Sequence, residues 1–449
     1  MNLASRKLIN RVFTSVGVLS ILLMAATLVV IMGPIVERGL GAFIFRGTVE
    51  HRRVLLQQFG RGDREALEAE SREVAAARRP VYDLLEAFEA QLTQGPAELR
   101  RQYRQPLNEL KQHLQGLLGP FPGKPEPVLL RDRYGETRWD QARARCDHIV
   151  YAEHYDYSDP SRMGLLVRTP RAEQFAGTVL EPLFTYVPAH LEEMLRPRWT
   201  CYARFLTDVS YDSHFFGGIG PELLGTFYLT IGAILFAVPL GVVSAIYLTE
   251  YARPGSRVVA LLRTCISTLA GVPSIVFGLF GLAFFINTLR VSPSKSVLAG
   301  SLTLGLLILP LVIRAAEEAI RSVPETYKLA ALSLGATRWR TMVTVLLPAA
   351  LPGILTGIVI SMGRAAGETA PIIFTAAVSV GQPLALWQTF TEPTPALPWN
   401  IFNLCSEHQA VDEIRHVQYG MVFTLVLLVL LLNSTAIFLR ARISRKLRG

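Results

Sequence analysis

The sequence predicts an all-α integral membrane protein with six transmembrane helices and a large soluble insertion between the first and the second. Half of the 449 residues are apolar and only 18% are charged, whereas soluble domains carry about a quarter of charged residues. The apolar residues are concentrated in six nearly uncharged runs, each close to the roughly 20 residues that cross a bilayer as a helix. The runs cover residues 12–36, 223–249, 265–289, 296–313, 341–363 and 417–439.

The first run is expected to remain in the protein as a helix, because it is longer than the apolar part of a signal peptide and Pro34 lies where a small-residue cleavage site would be needed. Lysine and arginine near the ends of the runs predict the orientation, since they are enriched in cytoplasmic loops. Both termini are therefore predicted to be cytoplasmic and the insertion to lie outside the cytoplasm. The net charge of +9 is explained by these basic residues at the cytoplasmic ends of the runs, and no nucleic-acid partner is expected. The basic segments are residues 6–11, 253–263, 321–340 and 440–448.

The insertion, residues 46–216, is polar and is predicted to be α or α+β. Two apolar stripes at helical spacing predict amphipathic helices, and Gly95-Pro96 separates them. Residues 128–130 and 148–151 are predicted to form short strands. The domain either docks a soluble substrate-binding partner or packs as a scaffold, and the scaffold is favoured. The stripes are Val81, Leu84, Leu85, Phe88 and Leu92, and then Leu107, Leu110, Leu114, Leu117 and Leu118.

Four cysteines are present, and Cys265, which opens the third run, is expected to be inert. His148 and His154, with the acidic residues around them, are interpreted as an ordinary polar loop rather than a metal site. The other three cysteines are Cys146, Cys201 and Cys405. They are predicted to face an oxidising compartment, where one disulfide can form.

The chain has no Gly-x-x-x-x-Gly-Lys-Ser/Thr stretch, and thus no phosphate-binding loop of that kind. No Ser/His/Asp or Cys/His arrangement and no His-Glu-x-x-His spacing is recognisable either. The chain is therefore not expected to be an enzyme. If it transports a solute actively, either an ion gradient or a separate ATPase must supply the energy.

The segment between the fourth and fifth runs predicts two helices joined by a glycine elbow. Ser322 and Glu325 form a predicted capping box, in which each side chain satisfies a backbone amide of the other, and Pro324 suits the first helical turn. Gly335 is predicted to adopt the left-handed conformation that ends a helix, and a second helix begins near Thr337. Such a pair of short helices either fits a groove on a cytoplasmic partner or forms an ordinary surface loop.

Two stretches resemble a known family. Residues 325–354, ETYKLAALSLGATRWRTMVTVLLPAALPGI, resemble the coupling loop of type I ABC importer permeases. Residues 363–371, GRAAGETAP, resemble a segment of the phosphate-specific permeases, most closely their A-type subunit (PstA). In the coupling loop the matching positions are Gly335 and Pro348, with Leu329, Ala330 and Ala331 standing for the family's Glu-Ala-Ala.

The resemblance, which covers about residues 217–377, implies a six-helix permease core that imports phosphate. It implies that the coupling loop, residues 314–345, docks on a separate subunit that binds ATP and Mg²⁺, so that this chain needs no cofactor. The implied partners are a homologous permease, two ATP-binding subunits, a periplasmic phosphate-binding protein and the lipid bilayer. The implied location is a bacterial inner membrane, with the insertion in the periplasm. The implied division is residues 1–45 with the first helix, 46–216 as the insertion and 217–449 as the core. A permease for sulfate, molybdate or phosphonate, or a gradient-driven carrier or channel, remains as an alternative.

Charges within or at the ends of apolar runs are candidates for the substrate path, because burying an ion in lipid costs about 2.5–3.5 kcal/mol even on permissive scales. Arg364 and Glu368 lie four residues apart on one helical face, and a guanidinium group can hold phosphate through two parallel hydrogen bonds. Glu368 would position Arg364 or weaken its grip, and Thr369 would add a hydroxyl donor. A structural ion pair is the alternative. Arg314, at the end of the fourth run, either lines the path or extends to the membrane surface.

Overall fold

The computed structural model describes residues 3–156, 164–253, 255–408, 411 and 413–448. The chain divides into two units, and each has its own core. One unit comprises Met1–Ala42 together with Arg204–Gly449, and it contains all six apolar runs. The other is Phe43–Ala203. Residues 204–216, which the sequence placed at the end of the insertion, pack in the unit with the apolar runs.

The described residues are mostly helical, and their strands are short. Three antiparallel two-stranded sheets pair β1 with β4, β2 with β3 and β5 with β6. The helices are α1 (Leu3–Leu40), α2 (Val49–Phe59), α3 (Arg64–Gln94), α4 (Ala97–Leu118), α5 (Leu130–Arg133), α6 (Trp139–Val150), α7 (Arg171–Gln174), α8 (Leu183–Ala189), α9 (Leu191–Leu195), α10 (Gly220–Ile246), α11 (Arg257–Ala270), α12 (Ser274–Gly281), α13 (Val297–Arg321), α14 (Glu325–Ser333), α15 (Arg338–Thr341), α16 (Leu347–Gly367), α17 (Ala370–Thr375), α18 (Leu397–Ser406) and α19 (Arg415–Arg448). The strands are β1 (Ile44–Gly47), β2 (Tyr151–Asp156), β3 (Leu165–Pro170), β4 (Arg198–Cys201), β5 (Ser210–Tyr211) and β6 (Phe216–Gly217).

The core of the Phe43–Ala203 unit is built on the two predicted helical stripes. Nine of the ten stripe residues are buried in α3 and α4, and Leu84 is partly buried against them. Residues recurring every three or four positions share one face of a helix, so each helix presents a continuous apolar edge to the other. Phe175 and Met194 complete this core from the following segments. The prediction of two packed amphipathic helices is confirmed.

Both predicted strands in this unit are wrong. Residues 128–130 lead into α5, which begins at Leu130, and residues 148–150 form the last turn of α6. Only Tyr151 lies in a strand, at the start of β2, where it pairs with Pro170. Short apolar runs do not distinguish a strand from a helix end, because the choice depends on whether a partner strand is within reach.

The four cysteines are free thiols in the structure, so none of the three predicted candidates forms a disulfide. Cys146 is buried in the core on α6. Burial, together with the neighbouring Asp147 carboxylate, raises the pKa of the Cys146 thiol to about 11. The thiol is therefore protonated and unreactive at neutral pH, since the thiolate is the nucleophilic form.

Truncation of the central core leucine of α4 should loosen this unit. Leu114 is fully buried, and a buried Leu→Ala change costs about 2–5 kcal/mol through lost burial and the cavity left behind. We expect Leu114→Ala to accelerate trypsin cleavage within residues 43–203 of the full-length protein in membranes. Leu129→Ala, at a half-exposed position, should be cleaved as slowly as the wild type. Equal cleavage rates for all three proteins would contradict the role of Leu114.

The other unit contains the candidate membrane spans. Among the described residues, five helical segments are long and apolar enough to cross a bilayer, and a bent helix pair gives a sixth if it counts as one span. The predicted helices in runs one, two, four, five and six are confirmed. The five segments are Asn10–Leu40, Gly220–Tyr251, Val297–Arg321, Arg338–Gly367 and Arg415–Ile443.

The third run, predicted as one helix, is broken. Arg257–Ala270 and Ser274–Thr288 meet at an angle of 103°. Pro273 explains the break, because proline has no amide for the helical hydrogen bond and drives the residue before it out of the helical conformation. The α11 arm has no buried residue within Arg257–Ala270, whereas Phe277 on the α12 arm is buried.

Small residues allow α10 and α13 to pack closely along their lengths. A Cβ atom added at Gly241 would lie 2.7 Å from the Val312 side chain, and one at Gly305 would lie 2.6 Å from Phe236. Neither contact leaves room for a larger residue. Close backbone approach at glycine is the usual basis of helix association in membranes, where no hydrophobic effect drives the helices together. α16 packs against α13, α10 and α19.

Candidate transport path and coupling loop

The loop between the fourth and fifth spans folds into two helices joined by a glycine elbow. α14 ends at Ser333, and Gly335 has a φ of +82°. The Gly335 amide donates to the Leu332 carbonyl at 3.0 Å, and the Ala336 amide donates to the Ala331 carbonyl at 3.2 Å. These two bonds form a Schellman motif, which satisfies carbonyls that a helix end leaves open. The predicted left-handed glycine is confirmed.

The start of α14 differs from the prediction. Pro324 is its N-cap, and no side chain caps the helix. The Ser322 hydroxyl instead donates to the Ala319 carbonyl at 2.8 Å. The capping box is wrong because α13 continues to Arg321, which makes Ser322 its C-cap. Glu325 is then the first residue of α14, not the third.

The second helix begins as predicted, with the Thr337 hydroxyl accepting from the Arg340 amide at 3.3 Å. A π-helical segment, Met342–Leu346, joins α15 to α16. Pro348 is the second residue of α16, two positions after the end of this segment. A proline ring in a helix clashes with the carbonyl four residues earlier, here that of Thr344. The wider π turn lies where this clash would otherwise occur.

The elbow is anchored on one side and exposed on the other. The Lys328 ammonium lies 2.6 Å from the Glu250 carboxylate at the end of the second span. Leu329, in place of the family's glutamate, is 55% exposed, and Leu334 at the elbow is 89% exposed. Ala330 is also exposed and Ala331 is half-buried. The elbow is therefore fixed to its own chain by a charge pair and presents apolar side chains outward.

Arg364 and Glu368 form the ion pair that their spacing predicted. The distance from Arg364 Nε to Glu368 Oε1 is 3.2 Å. α16 ends at Gly367, so Glu368 lies just beyond the helix and turns back along its last turn. The side chain of Glu368 is 19% exposed and that of Arg364 is 48% exposed. Thr369 follows, half-buried, and its carbonyl accepts from the Ile372 amide at the start of α17. About half of the Arg364 side chain therefore remains uncovered by its own chain.

Arg314 is held by a different partner. Its Nη2 donates to the Ser267 hydroxyl on α11 at 2.6 Å. Next to this bond, Glu317 Oε1 accepts from Arg263 at 2.6 Å and from Arg321 at 2.7 Å. In the sequence, Arg263 and Arg321 predicted the topology, and Glu317 was not among the predicted site residues. The signal was present, because positions 314, 317 and 321 are three and four apart and share a helical face.

A buried polar network at the start of the second span was also missed. Glu222 and His214 are nearly inaccessible to solvent, and Nε2 of His214 lies 2.9 Å from Oε1 of Glu222. Asn400 on α18 donates to the same oxygen at 3.1 Å. His214 has a φ of +73°, a strained conformation for a residue with a side chain. The network connects α10 to α18, and a buried carboxylate requires such partners.

The chain is similar in sequence to known transporter subunits. Residues 237–449 match the family described as binding-protein-dependent transport system inner membrane component. The chain is 37% identical over 240 residues to the probable ABC transporter permease protein YqgI of Bacillus subtilis, a match that covers 51% of this chain and 80% of that protein. It is 36% identical over 234 residues to the phosphate transport system permease protein PstA 1 of Mycobacterium tuberculosis, covering 52% of this chain and 73% of that protein. Among solved structures, a chain of the inward-facing MetNI methionine ABC transporter is 20% identical, with a TM-score of 0.37, over 50% of this chain and 94% of that chain.

Proposed function

The chain belongs to the family of ABC transporter permeases that includes the phosphate transport system permease PstA, and from this premise we propose that it forms the membrane path of a phosphate importer. A 36% identity to a phosphate permease over 234 residues carries the assignment. The paired Arg364 agrees with it, because a guanidinium fork matches the geometry of phosphate.

The energy comes from a separate ATPase in this proposal. Two ATP-binding subunits hold ATP and Mg²⁺, and this chain hydrolyses nothing. The exposed apolar side chains of Leu329 and Leu334 fit a groove on one of these subunits. Since Lys328 is paired with Glu250, motion of the docked elbow is transmitted to the end of the second span.

The proposed assembly contains a homologous permease beside this chain and a soluble phosphate-binding protein outside the membrane. Both termini lie in the cytoplasm and the Phe43–Ala203 unit in the periplasm. This orientation rests on the basic segments that flank the spans. The family match begins at residue 237, so the role of the Phe43–Ala203 unit is proposed from its own packing, as a scaffold.

At the anion path, Arg364 attracts phosphate and Glu368 competes with it for the guanidinium group. A strong and permanent grip would stop transport, because the anion must leave again. The 3.2 Å pair provides that competition. Affinity is then supplied by the soluble binding protein, and Arg314 and Thr369 contribute weaker contacts along the way.

Competition experiments test the substrate. The complete transporter, with its ATPase and binding protein, is reconstituted in vesicles, and ATP-dependent uptake of radioactive phosphate is measured. We expect unlabelled phosphate to abolish the signal. A roughly tenfold excess of sulfate, molybdate or phosphonate should leave most of it, because each of these anions should bind well over tenfold more weakly than phosphate, a difference of more than about 1.4 kcal/mol. Transport of sulfate or molybdate instead would support the alternative oxyanion. Uptake without nucleotide would contradict the ABC mechanism.

A further inference from the structure

A polar cavity of about 300 Å³ lies between α11 and the end of α13. Positions 263 and 267 share a face of α11, and positions 314, 317 and 321 share a face of α13. The cavity also borders Glu318, so three guanidinium groups face two carboxylates, a formal charge of +1 (3 − 2). The lining side chains used below are Arg263, Ser267, Arg314, Glu317 and Arg321.

Two guanidinium groups converge on a single carboxylate oxygen in this cavity. Arg263 and Arg321 lie 2.6 Å and 2.7 Å from the same Oε1 of Glu317. The Glu317 side chain is 12% exposed, whereas Arg263 is 38% and Arg321 is 56% exposed. The carboxylate is thus enclosed by donors that remain open to solvent on their other sides. Two arginine forks around one oxyanion are the arrangement that binds phosphate as well as carboxylate.

Arg314 adds a positive charge that the cavity does not neutralise. It donates to a neutral hydroxyl, that of Ser267, at 2.6 Å. Among the described residues it has no carboxylate oxygen within 4.0 Å. An arginine bonded only to a hydroxyl exchanges that partner for an anion readily, because charge-assisted hydrogen bonds are about twice as strong as neutral ones.

We propose that this cavity is an exit site for the transported oxyanion, in which Glu317 competes with the substrate for Arg263 and Arg321. The proposal rests on the proposed function, which supplies the substrate and places the cavity at the cytoplasmic end of the path. An incoming phosphate bonds first to Arg314, then takes one oxygen position at the two other arginines. Return of the Glu317 carboxylate displaces it, so the site releases the anion toward the cytoplasm instead of retaining it.

The test removes the competitor. Glu317→Gln keeps the shape but loses the charge, and we expect the purified complete transporter, without nucleotide and without binding protein, to retain about tenfold more radioactive phosphate than the wild type, because a lost charge-assisted bond is worth at least that factor. Uptake in vesicles should fall. Adding Arg263→Gln to the Glu317→Gln protein should return the retention to the wild-type level. Glu407→Gln, at an exposed position that is not part of the cavity lining, is the matched control and should change neither quantity.

A second measurement does not depend on a variant that must fold. In the wild-type transporter, phenylglyoxal labelling of Arg314 should be lost when phosphate is present and should persist in chloride, with labelling of Arg442 as the unaffected reference. Unchanged retention in Glu317→Gln, or labelling of Arg314 that phosphate does not alter, would overturn the exit site and leave Glu317 as a clamp between α11 and α13. Wild-type vesicles that take up no phosphate would overturn the proposed function itself.

Discussion

Replacement of Arg364 by glutamine should lower phosphate uptake by roughly one to two orders of magnitude while the transporter still assembles. The variant loses the guanidinium fork, and a hydrogen bond to a charged group contributes about 1.5–3 kcal/mol. This corresponds to a loss of roughly tenfold to a hundredfold in the rate at which the anion passes. Uptake of radioactive phosphate in vesicles measures the loss, and co-purification of the ATPase subunit reports on assembly.

Two controls separate a path residue from a structural pair. The double variant Arg364→Gln with Glu368→Gln removes both partners of the 3.2 Å pair, so it should rescue uptake if the pair only stabilises the fold, since removal of both partners is nearly neutral. We expect no rescue. Arg442→Gln, at an exposed position near the end of α19, should leave uptake unchanged. Normal uptake by Arg364→Gln alone would contradict its place in the path.

A charge at the elbow should uncouple the permease from its ATPase. Leu334 is 89% exposed, and in the proposed assembly it enters an apolar groove of the ATP-binding subunit. Leu334→Glu would bury a carboxylate without a partner, which costs roughly 3–5 kcal/mol. We therefore expect loss of ATPase co-purification and of uptake, measured on the same membrane preparation.

The matched control at this position is methionine. Leu334→Met keeps an apolar side chain of similar volume, a change that usually costs less than about 1.5 kcal/mol, and should retain both assembly and uptake. Because 89% of the Leu334 surface is exposed, neither variant should alter the fold of the chain. ATP-dependent uptake by Leu334→Glu at the wild-type rate would exclude the elbow as the coupling element.

Local patterns were sufficient to predict most of the helices. The buried leucines of α4 recur at three and four residues, and this period arises within one helix. Gly335 was predictable for the same reason, because its conformation depends on the turn that it ends. The capping box at Ser322 failed because the extent of α13 decides which helix that serine caps. The end of a helix depends on packing that no four-residue pattern contains.

In the candidate path, too, contacts between residues close in sequence could be predicted and distant ones could not. The Arg364–Glu368 pair is four residues apart and could be predicted from spacing. The Ser267 partner of Arg314 is 47 residues away, and the two become neighbours only in the tertiary structure, where the chain bends by 103° at the break that contains Pro273. A hydropathy run contains no sign of that bend except the proline itself. Glu317 was overlooked because a carboxylate between basic residues is usually an exposed surface charge.

The bend at Pro273 makes α11 a short separate arm, at 103° to the helix that follows it. Its 14 residues measure about 21 Å at 1.5 Å per residue, which is shorter than the roughly 30 Å of hydrocarbon in a bilayer. Its C-terminal end lies next to Pro273, and its middle and C-terminal part are held against α13 by the bonds of Arg263 and Ser267. An anion bound at the proposed exit site would compete for both of these bonds, so the contacts between α11 and α13 would weaken together. In this way a small anion would act on a whole helix of 14 residues.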